Sequence, residues 1–360
     1  MELLEALVQT PGIPGREHRI RQLIRQEIAD HVDEIRVDAL GSLIAVRRPR
    51  RRDGGGPAAP AKVMLAAHMD QIGFMVRHID DRGFIRLNPV GGFDNRNLFA
   101  RLCTICPDLA DPSKDLVGVL NPGGKPIHIA SEEDRKKVPE IHEFVVDLGR
   151  EGEEVKQLVR VGDMVVLRSS FEQVGRTVVG QALDNRVACW LLIRALQALE
   201  HHDAEIHAVF TVQEEVGLRG AGAAAYGIEA DFGIALDTTL CVDTPGVPED
   251  QRVTQQAAGA TLTVMDSASI GDLALLDRFE ELAQQHQIKH QRSVLPRGGT
   301  DAGTMQRARA GLRTFTLSCP TRYIHTVCEM VHREDLDACR DLLVAFLHEG
   351  PPSAEQPWSG

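Results

Sequence analysis

Phe210-Thr211-Val212-Gln213-Glu214-Glu215-Val216-Gly217 is the stretch that decides how the chain is read. The residues leading into it, Ile206 to Val212, carry β-branched and apolar side chains on both faces. That is the pattern of a strand buried on both sides. Two adjacent carboxylates follow where the strand should end, and then Gly217 and Gly220. Neighbouring side chains in a strand point to opposite faces, but at a strand end the chain can bend and bring both to one cavity. One carboxylate can then hold a metal while the other, unligated, takes a proton from water. A solvated Glu pair in a turn is the plainer alternative. The rest of the chain decides between them by whether it supplies further ligands.

At 360 residues the chain exceeds one average domain, so one large or two unequal domains are expected. Hydrophobic residues at 43% and charged residues at 26% give an ordinary globular balance. Aromatics at 4% are too sparse for a base-stacking surface, and a net charge of -12 disfavours nucleic acid and anionic membrane as partners. The N-terminus, Met1-Glu2-Leu3-Leu4-Glu5, has no basic segment ahead of an apolar one, and no apolar run reaches the ~20 residues of a membrane span. Seven scattered cysteines do not form a disulfide framework. The expected location is the cytoplasm. Cys103 and Cys106 lack a second pair for structural zinc and read as buried strand thiols.

Two amphipathic helices are expected in residues 1–36, the first burying Leu3, Leu4, Leu7 and Val8, the second Ile20, Leu23, Ile24 and Ile28. Arg47 to Pro60 reads as a basic, Pro- and Gly-rich loop, whose arginines either bind an anion or stand in solvent. Lys62–Ala67 is a continuous apolar strand of the buried parallel kind. From His68 to about Phe171 the style changes. Short alternating strands recur at Gly73–Ile79, Gly83–Leu87, Ala100–Cys106, Leu116–Leu120, Phe144–Leu148 and Met164–Leu167, with a long polar loop over Asn121–Glu143. This is an all-β insert. After Val178, strands alternate again with helices, which predicts a mixed or parallel sheet covered on both faces. The tail Pro351–Gly360 is expected to be disordered.

Metal-capable residues recur at the strand ends. His68 and Asp70 follow the first buried strand, Glu214 and Glu215 the second. Asp237 follows Phe232–Leu236, His325 comes after the Phe315 strand, and Asp184 opens a helix at Val187. Ligands of open α/β sheets bind outside the carboxyl ends of the strands, so one rim can gather them all. Two histidines and three carboxylates suit two divalent cations of zinc type. Singly, each residue has a plainer reading: a core histidine, a loop cap, a helix N-cap.

The runs Ala67-His68-Met69-Asp70, Ala182-Leu183-Asp184-Asn185-Arg186, Thr211-Val212-Gln213-Glu214-Glu215-Val216-Gly217, Gly299-Thr300-Asp301-Ala302-Gly303 and Arg322-Tyr323-Ile324-His325-Thr326 together resemble those of the glutamyl, deblocking and tetrahedral aminopeptidases. Some members of that family carry a cellulase or endoglucanase label. The resemblance covers nearly the whole chain, in order. It implies a mixed-sheet α/β/α catalytic domain of zinc-exopeptidase type interrupted by a β-barrel-like dimerisation domain. The expected division is 1–69 and 174–350 for the catalytic domain and 70–173 for the insert. It further implies two divalent metal ions, zinc or cobalt, with manganese as a third choice. His68, Asp184 and Asp237 would hold one ion, Glu215 and His325 the other, with Asp184 bridging. Glu214 would be the general base, and Asp70 would orient the His68 ring. The implied substrates are peptides with a free N-terminus, and the implied assembly is a homo-oligomer of dimers joined into a dodecamer.

The chain departs from the family at Gln71, at Val327-Cys328 and over Gln255–Ala260, the last a loop expected near the substrate. Other readings remain at this stage. One is a different dimetal amidohydrolase, such as an amino-acid deacylase or dipeptidase. Another is a metal-stabilised assembly protein without activity. A glycosidase would need paired carboxylates and no metal.

Overall fold

The computed structural model describes residues 1–51 and 59–352. The remainder of the basic stretch, from Arg52, and the tail from Ser353 lie outside the described residues. At the centre of the main sheet four strands run parallel: Glu205–Thr211, Lys62–His68, Phe232–Leu240 and Arg313–Arg322. Their composition, Val, Ile, Leu, Phe and Ala with little alternation, suits burial on both faces. Antiparallel strands complete the sheet on either side: Leu43–Arg47 and Glu34–Val37 on one, Glu329–His332, Thr177–Gly180 and Glu172–Val174 on the other. Ala260–Met265 and His290–Val294 pair off the Arg313–Arg322 strand.

One face is covered by Glu2–Gln9, His18–Ile28, Leu183–Ala198, Leu273–Gln285 and Arg333–Glu349, whose apolar residues merge with the sheet in one core. Leu3, Leu4, Leu7, Val8, Ile20, Ile24 and Ile28 are buried there, as their helical spacing predicts. The other face holds a smaller core under Arg219–Ile228. That helix starts hard against the turn after Thr211. The Gly220 amide donates to the Val212 carbonyl at 3.0 Å, and a Cβ on Gly220 would stand 2.5 Å from that oxygen. Only glycine fits there.

The six short strands of the insert close into a barrel in the order Gly73–Ile79, Ile85–Val90, Phe144–Asp147, Leu116–Pro122, Arg101–Cys106, Met164–Leu167. It has its own core, with Phe74, Leu87, Cys103, Ile105, Phe144 and Val165 pointing inward. Cys103 and Cys106 are buried strand thiols, each pushed up to about 12 by desolvation first.

Several expectations need correction. Arg47 belongs to a strand, not a loop; it is buried, and its guanidinium donates to the carbonyls of Leu196 and Leu199. Arg50 exchanges backbone hydrogen bonds with His202. The Arg47 guanidinium thus closes a helix end and is not free for an anion, while the Arg50 guanidinium lies 3.6 Å from Asp33. The Asn121–Glu143 loop contains a short helix, Glu132–Lys136, started by a capping box between Ser131 and Asp134. The strand at Phe232 does not stop at Leu236 but runs to Leu240, so Asp237 lies within it. Its pairing with Lys62–His68 ends at Ala235, which leaves Asp237 beside the end of its neighbour.

Candidate metal centre

The parallel strands end on one edge of the sheet, and the metal-capable residues gather there. His68 is the last residue of its strand and is only 2% exposed. Its Nδ1 lies 3.0 Å from the Asp70 carbonyl oxygen, to which it donates, so Nε2 is the nitrogen turned toward the acids and left for a cation. Around Nε2 stand Asp184 Oδ1 at 3.3 Å, Glu214 Oε2 at 3.8 Å and Asp237 Oδ1 at 3.8 Å. On the outer side His325 Nε2 faces Glu215 Oε2 at 3.3 Å and Asp184 Oδ2 at 3.5 Å. Asp184 therefore offers one oxygen to each imidazole. Two cation-sized groups result, His68 with Glu214 and Asp237, and His68 with Asp184 and Glu215.

The Asp70 carboxylate does something other than orient the ring. Its nearer oxygen is 3.7 Å from His68 Nδ1, beyond hydrogen-bond reach, while its two oxygens accept the Glu214 and Glu215 amides at 3.1 and 3.2 Å. The orienting group on His68 is the Asp70 main chain. The side chain instead holds the turn that delivers both glutamates.

These turns are strained. Gln213, Ala182, Tyr323 and His325 all have φ between 56° and 63° without being glycine. Each such residue costs on the order of 1 kcal/mol and needs its surroundings to hold it. Glu17, Asp70 and Glu329 supply that. The buried Glu17 accepts the Gln213 amide at 3.3 Å and the Gly15 amide at 2.7 Å. Glu329 accepts the amides of Asp184 and His325. Neither glutamate shows in the motif spacing. The one trace of Glu329 is an acid set inside the apolar run Val327 to Val331. Asp301, quoted for its motif but without a role, is also buried at the site. It accepts from the Thr211 hydroxyl at 2.5 Å and has its other oxygen without a partner.

Electrostatics agree with the geometry. Burial raises Glu214 and Asp237 well above the ordinary carboxylate range; nearby His68 opposes this, and neighbouring acids add to it. Burial also acts on Asp184, but its contacts with His325 and His68 outweigh it and hold Asp184 well below that range. Burial opposes charge on His325, yet Asp184 and Glu215 push it up to about 11. Two imidazolium charges cannot balance the four carboxylates Asp184, Glu214, Glu215 and Asp237. Two divalent cations can, and the nitrogen and oxygen donors are the types they take.

Residues 48–342 match the model of the M42 glutamyl aminopeptidases. The chain belongs to the M42 glutamyl aminopeptidase family. It is 34% identical over 357 residues to the lysyl aminopeptidase of Pyrococcus furiosus, across 98% of this chain and 97% of that one. Its fold superposes on the aminopeptidase of the archaeon Desulfurococcus kamchatkensis with a TM-score of 0.91 at 33% identity, covering 100% of this chain and 97% of the other. The Pyrococcus horikoshii TET1 peptidase, which can assemble into a tetrahedron or a large octahedral shell, gives 0.84 at 30% identity over 97% and 99% of the two chains. This M42 chain is accordingly an aminopeptidase with a dinuclear metal centre, built on a mixed α/β sheet with an adjoining closed barrel.

Proposed function

We propose that the chain removes N-terminal residues from peptides, with Glu214 as the general base and His68, Asp184, Asp237, Glu215 and His325 as the metal ligands. The observation that carries this is Asp184, whose two oxygens face two imidazoles 3.3 and 3.5 Å away, the disposition of a bridging carboxylate. When bound, two divalent cations lower the pKa of a water and polarise the scissile carbonyl. Glu214 takes the proton of that water as its oxygen attacks the carbonyl carbon. It returns the proton to the leaving nitrogen as the C–N bond breaks. A carboxylate raised by burial is suited to hold a proton between those two events.

Proximity alone also allows Glu214 as a ligand, since it stands as near His68 as Asp237 does. The base role is preferred because the five other side chains supply a bridged dinuclear set without it. Zinc or cobalt fits the mixed nitrogen and oxygen donors best, with manganese third. The cleft over the outer half is lined by Gln71, Ile72, Phe93, Glu215, His325 and Thr326.

The proposed assembly is a homo-oligomer, dimers joined into a dodecamer. Leu102, Val117 and Val119 are each about half exposed on the outer face of two paired barrel strands, an apolar strip that a second subunit would cover. A monomer by light scattering at micromolar concentration, with metal bound, would count against this. The net charge of -12 supports partners other than nucleic acid and anionic membrane, and among the described residues no helix is long and apolar enough to cross a bilayer. A cytoplasmic setting agrees with seven free cysteines. The direct test of function is a panel of aminoacyl-nitroanilides and short peptides after reconstitution with zinc, cobalt or manganese. Hydrolysis confined to substrates with a free α-amino group supports the reading, and cleavage of N-blocked substrates alone would overturn it.

A further inference from the structure

Glu329 opens the strand Glu329–His332, opposite Gly180, and its side chain is 2% exposed. Its two oxygens serve two different segments. Oε2 accepts the Asp184 amide at 2.9 Å, and Oε1 accepts the His325 amide at 2.8 Å. These residues are 141 apart in the chain, and they are the two whose side chains meet at 3.5 Å in the outer half of the centre. The His325 segment cannot hold itself. Tyr323 and His325 have φ of 60° and 63°, and the local hydrogen bonds, Thr326 Oγ1 to the Tyr323 carbonyl and the Cys328 amide to Thr326 Oγ1, leave the His325 amide to Glu329.

A purely structural reason for Glu329 is weak. Its strand is paired through the backbone to Thr177–Gly180 and Arg313–Arg322. Burying an acid costs free energy that a neutral side chain avoids. What a carboxylate does here, and glutamine cannot, is accept two N–H groups that approach opposite oxygens, because one end of an amide is a donor.

We propose that Glu329 is a positioning residue for the outer metal: it locks the Asp184 and His325 backbones to each other so that Asp184 Oδ2 and His325 Nε2 face the same cation. This rests on the dinuclear reading of the centre. Asp70 performs the matching task for Glu214 and Glu215. The outer half differs in that its ligands come from loops, so the clamp sets their relation and not only their angle.

The test uses the full chain and measures metal binding rather than turnover. Wild type, Glu329→Gln and Glu329→Asp are titrated with cobalt, following each equivalent by its visible absorption and by competition with a chelator. In Glu329→Gln one of the two equivalents should weaken by about 10- to 100-fold, the usual size of such outer-sphere effects, while the other stays within about threefold. Glu329→Asp, which keeps the charge but reaches only one amide, should weaken the same equivalent. In a His325→Ala background, Glu329→Gln should weaken that equivalent by less than it does in wild type, because the part of the clamp that acts through His325 is already gone and only the Asp184 amide is left to lose its acceptor. A residue that merely stabilises the strand would lower Tm in both variants and leave both affinities as in wild type. That outcome overturns the proposal, as do equal losses at both sites, additive losses with His325→Ala, or failure of both variants to fold. Wild type that binds two ions but cleaves no peptide would sink the functional reading and leave these affinity comparisons intact.

Discussion

The two halves of the centre are built differently. The inner half takes His68 and Asp237 from neighbouring parallel strands, and its three donors, Glu214 included, are all buried. The outer half takes Asp184, Glu215 and His325 from turns, and the His325 side chain is 34% exposed against 2% for His68. Strand hydrogen bonds fix two of the inner donors, His68 and Asp237, and the third, Glu214, comes from the turn that Asp70 holds. Left-handed non-glycine backbone and buried carboxylates fix the outer ones. Rigidity inside and access outside are what a hydrolytic centre needs. One cation site must be held firmly, and the other must meet substrate and solvent.

Asp184 is the residue on which this division should break most completely, because each half loses an oxygen. Asp184→Ala should lose at least one metal equivalent by elemental analysis. Hydrolysis should fall by more than the roughly 100-fold that loss of an outer-sphere partner reaches. Two tightly held ions in that variant would remove the bridge. Glu214→Gln should be the next largest. It keeps the shape of the inner half and both ions, yet turnover should drop about 10²- to 10⁴-fold with loss of the base. Wild-type turnover by the metal-loaded variant would leave Glu214 without that role.

The same division separates what the sequence discloses from what it hides. Strand-end residues are legible because a buried strand has a plain pattern and an acid or histidine directly after it stands out, as at His68 and Glu214. The parallel core and the six barrel strands follow from the same periodicity, with ends off by a few residues. Asp237 is harder to place, since its strand continues through Thr238 and Thr239, whose β-branched side chains are as fit for a strand as Ile234. His290–Val294 is hidden in the sequence because His290, Gln291, Arg292 and Ser293 show no apolar alternation. The carboxylate clamps are illegible for a different reason. Glu17 and Glu329 act through backbone amides far away in the chain, and a backbone amide leaves no mark in a sequence.

Glu17 permits a sharper test of how the inner turn is supported. Desolvation first, and then the charge of Asp70, push its carboxyl from 4.5 up to about 7, while amide hydrogen bonds pull the other way. Between those values the folded chain holds a proton that the unfolded chain has released. Unfolding free energy therefore falls as pH rises from about 4.5 to about 7, by on the order of 3 kcal/mol in all. Glu17→Gln removes this dependence. At fixed metal occupancy, Tm of the variant minus Tm of wild type should grow between pH 5 and pH 8. A gap independent of pH would mean that the amide hydrogen bonds offset the burial of the Glu17 carboxylate in full, so that it ionises in the fold at no cost.

The smallest effect tests both halves together. Burial opposes charge on both imidazoles, but Glu214, Asp184 and Asp237 hold His68 well above its ordinary value, and Asp184 and Glu215 hold His325 at about 11. For a histidine raised in this way, the metal-free fold gains stability below about 6.5 and loses it as pH climbs through the folded value. At neutral pH the metal-free chain therefore carries protons on the nitrogens that cations must use, and each ion bound must expel them. Raising free metal should move the acid limb of kcat/KM to lower pH. The shift is about one pH unit per tenfold change in metal if one proton leaves per ion, and about half that if two leave. A base titrating alone would give a limb indifferent to metal. The measurement is kcat/KM against pH on one peptide substrate at two free-metal concentrations, both short of saturation. If the two acid limbs superimpose, protons and cations do not compete at His68 and His325, and neither half of the centre is held together by its imidazole.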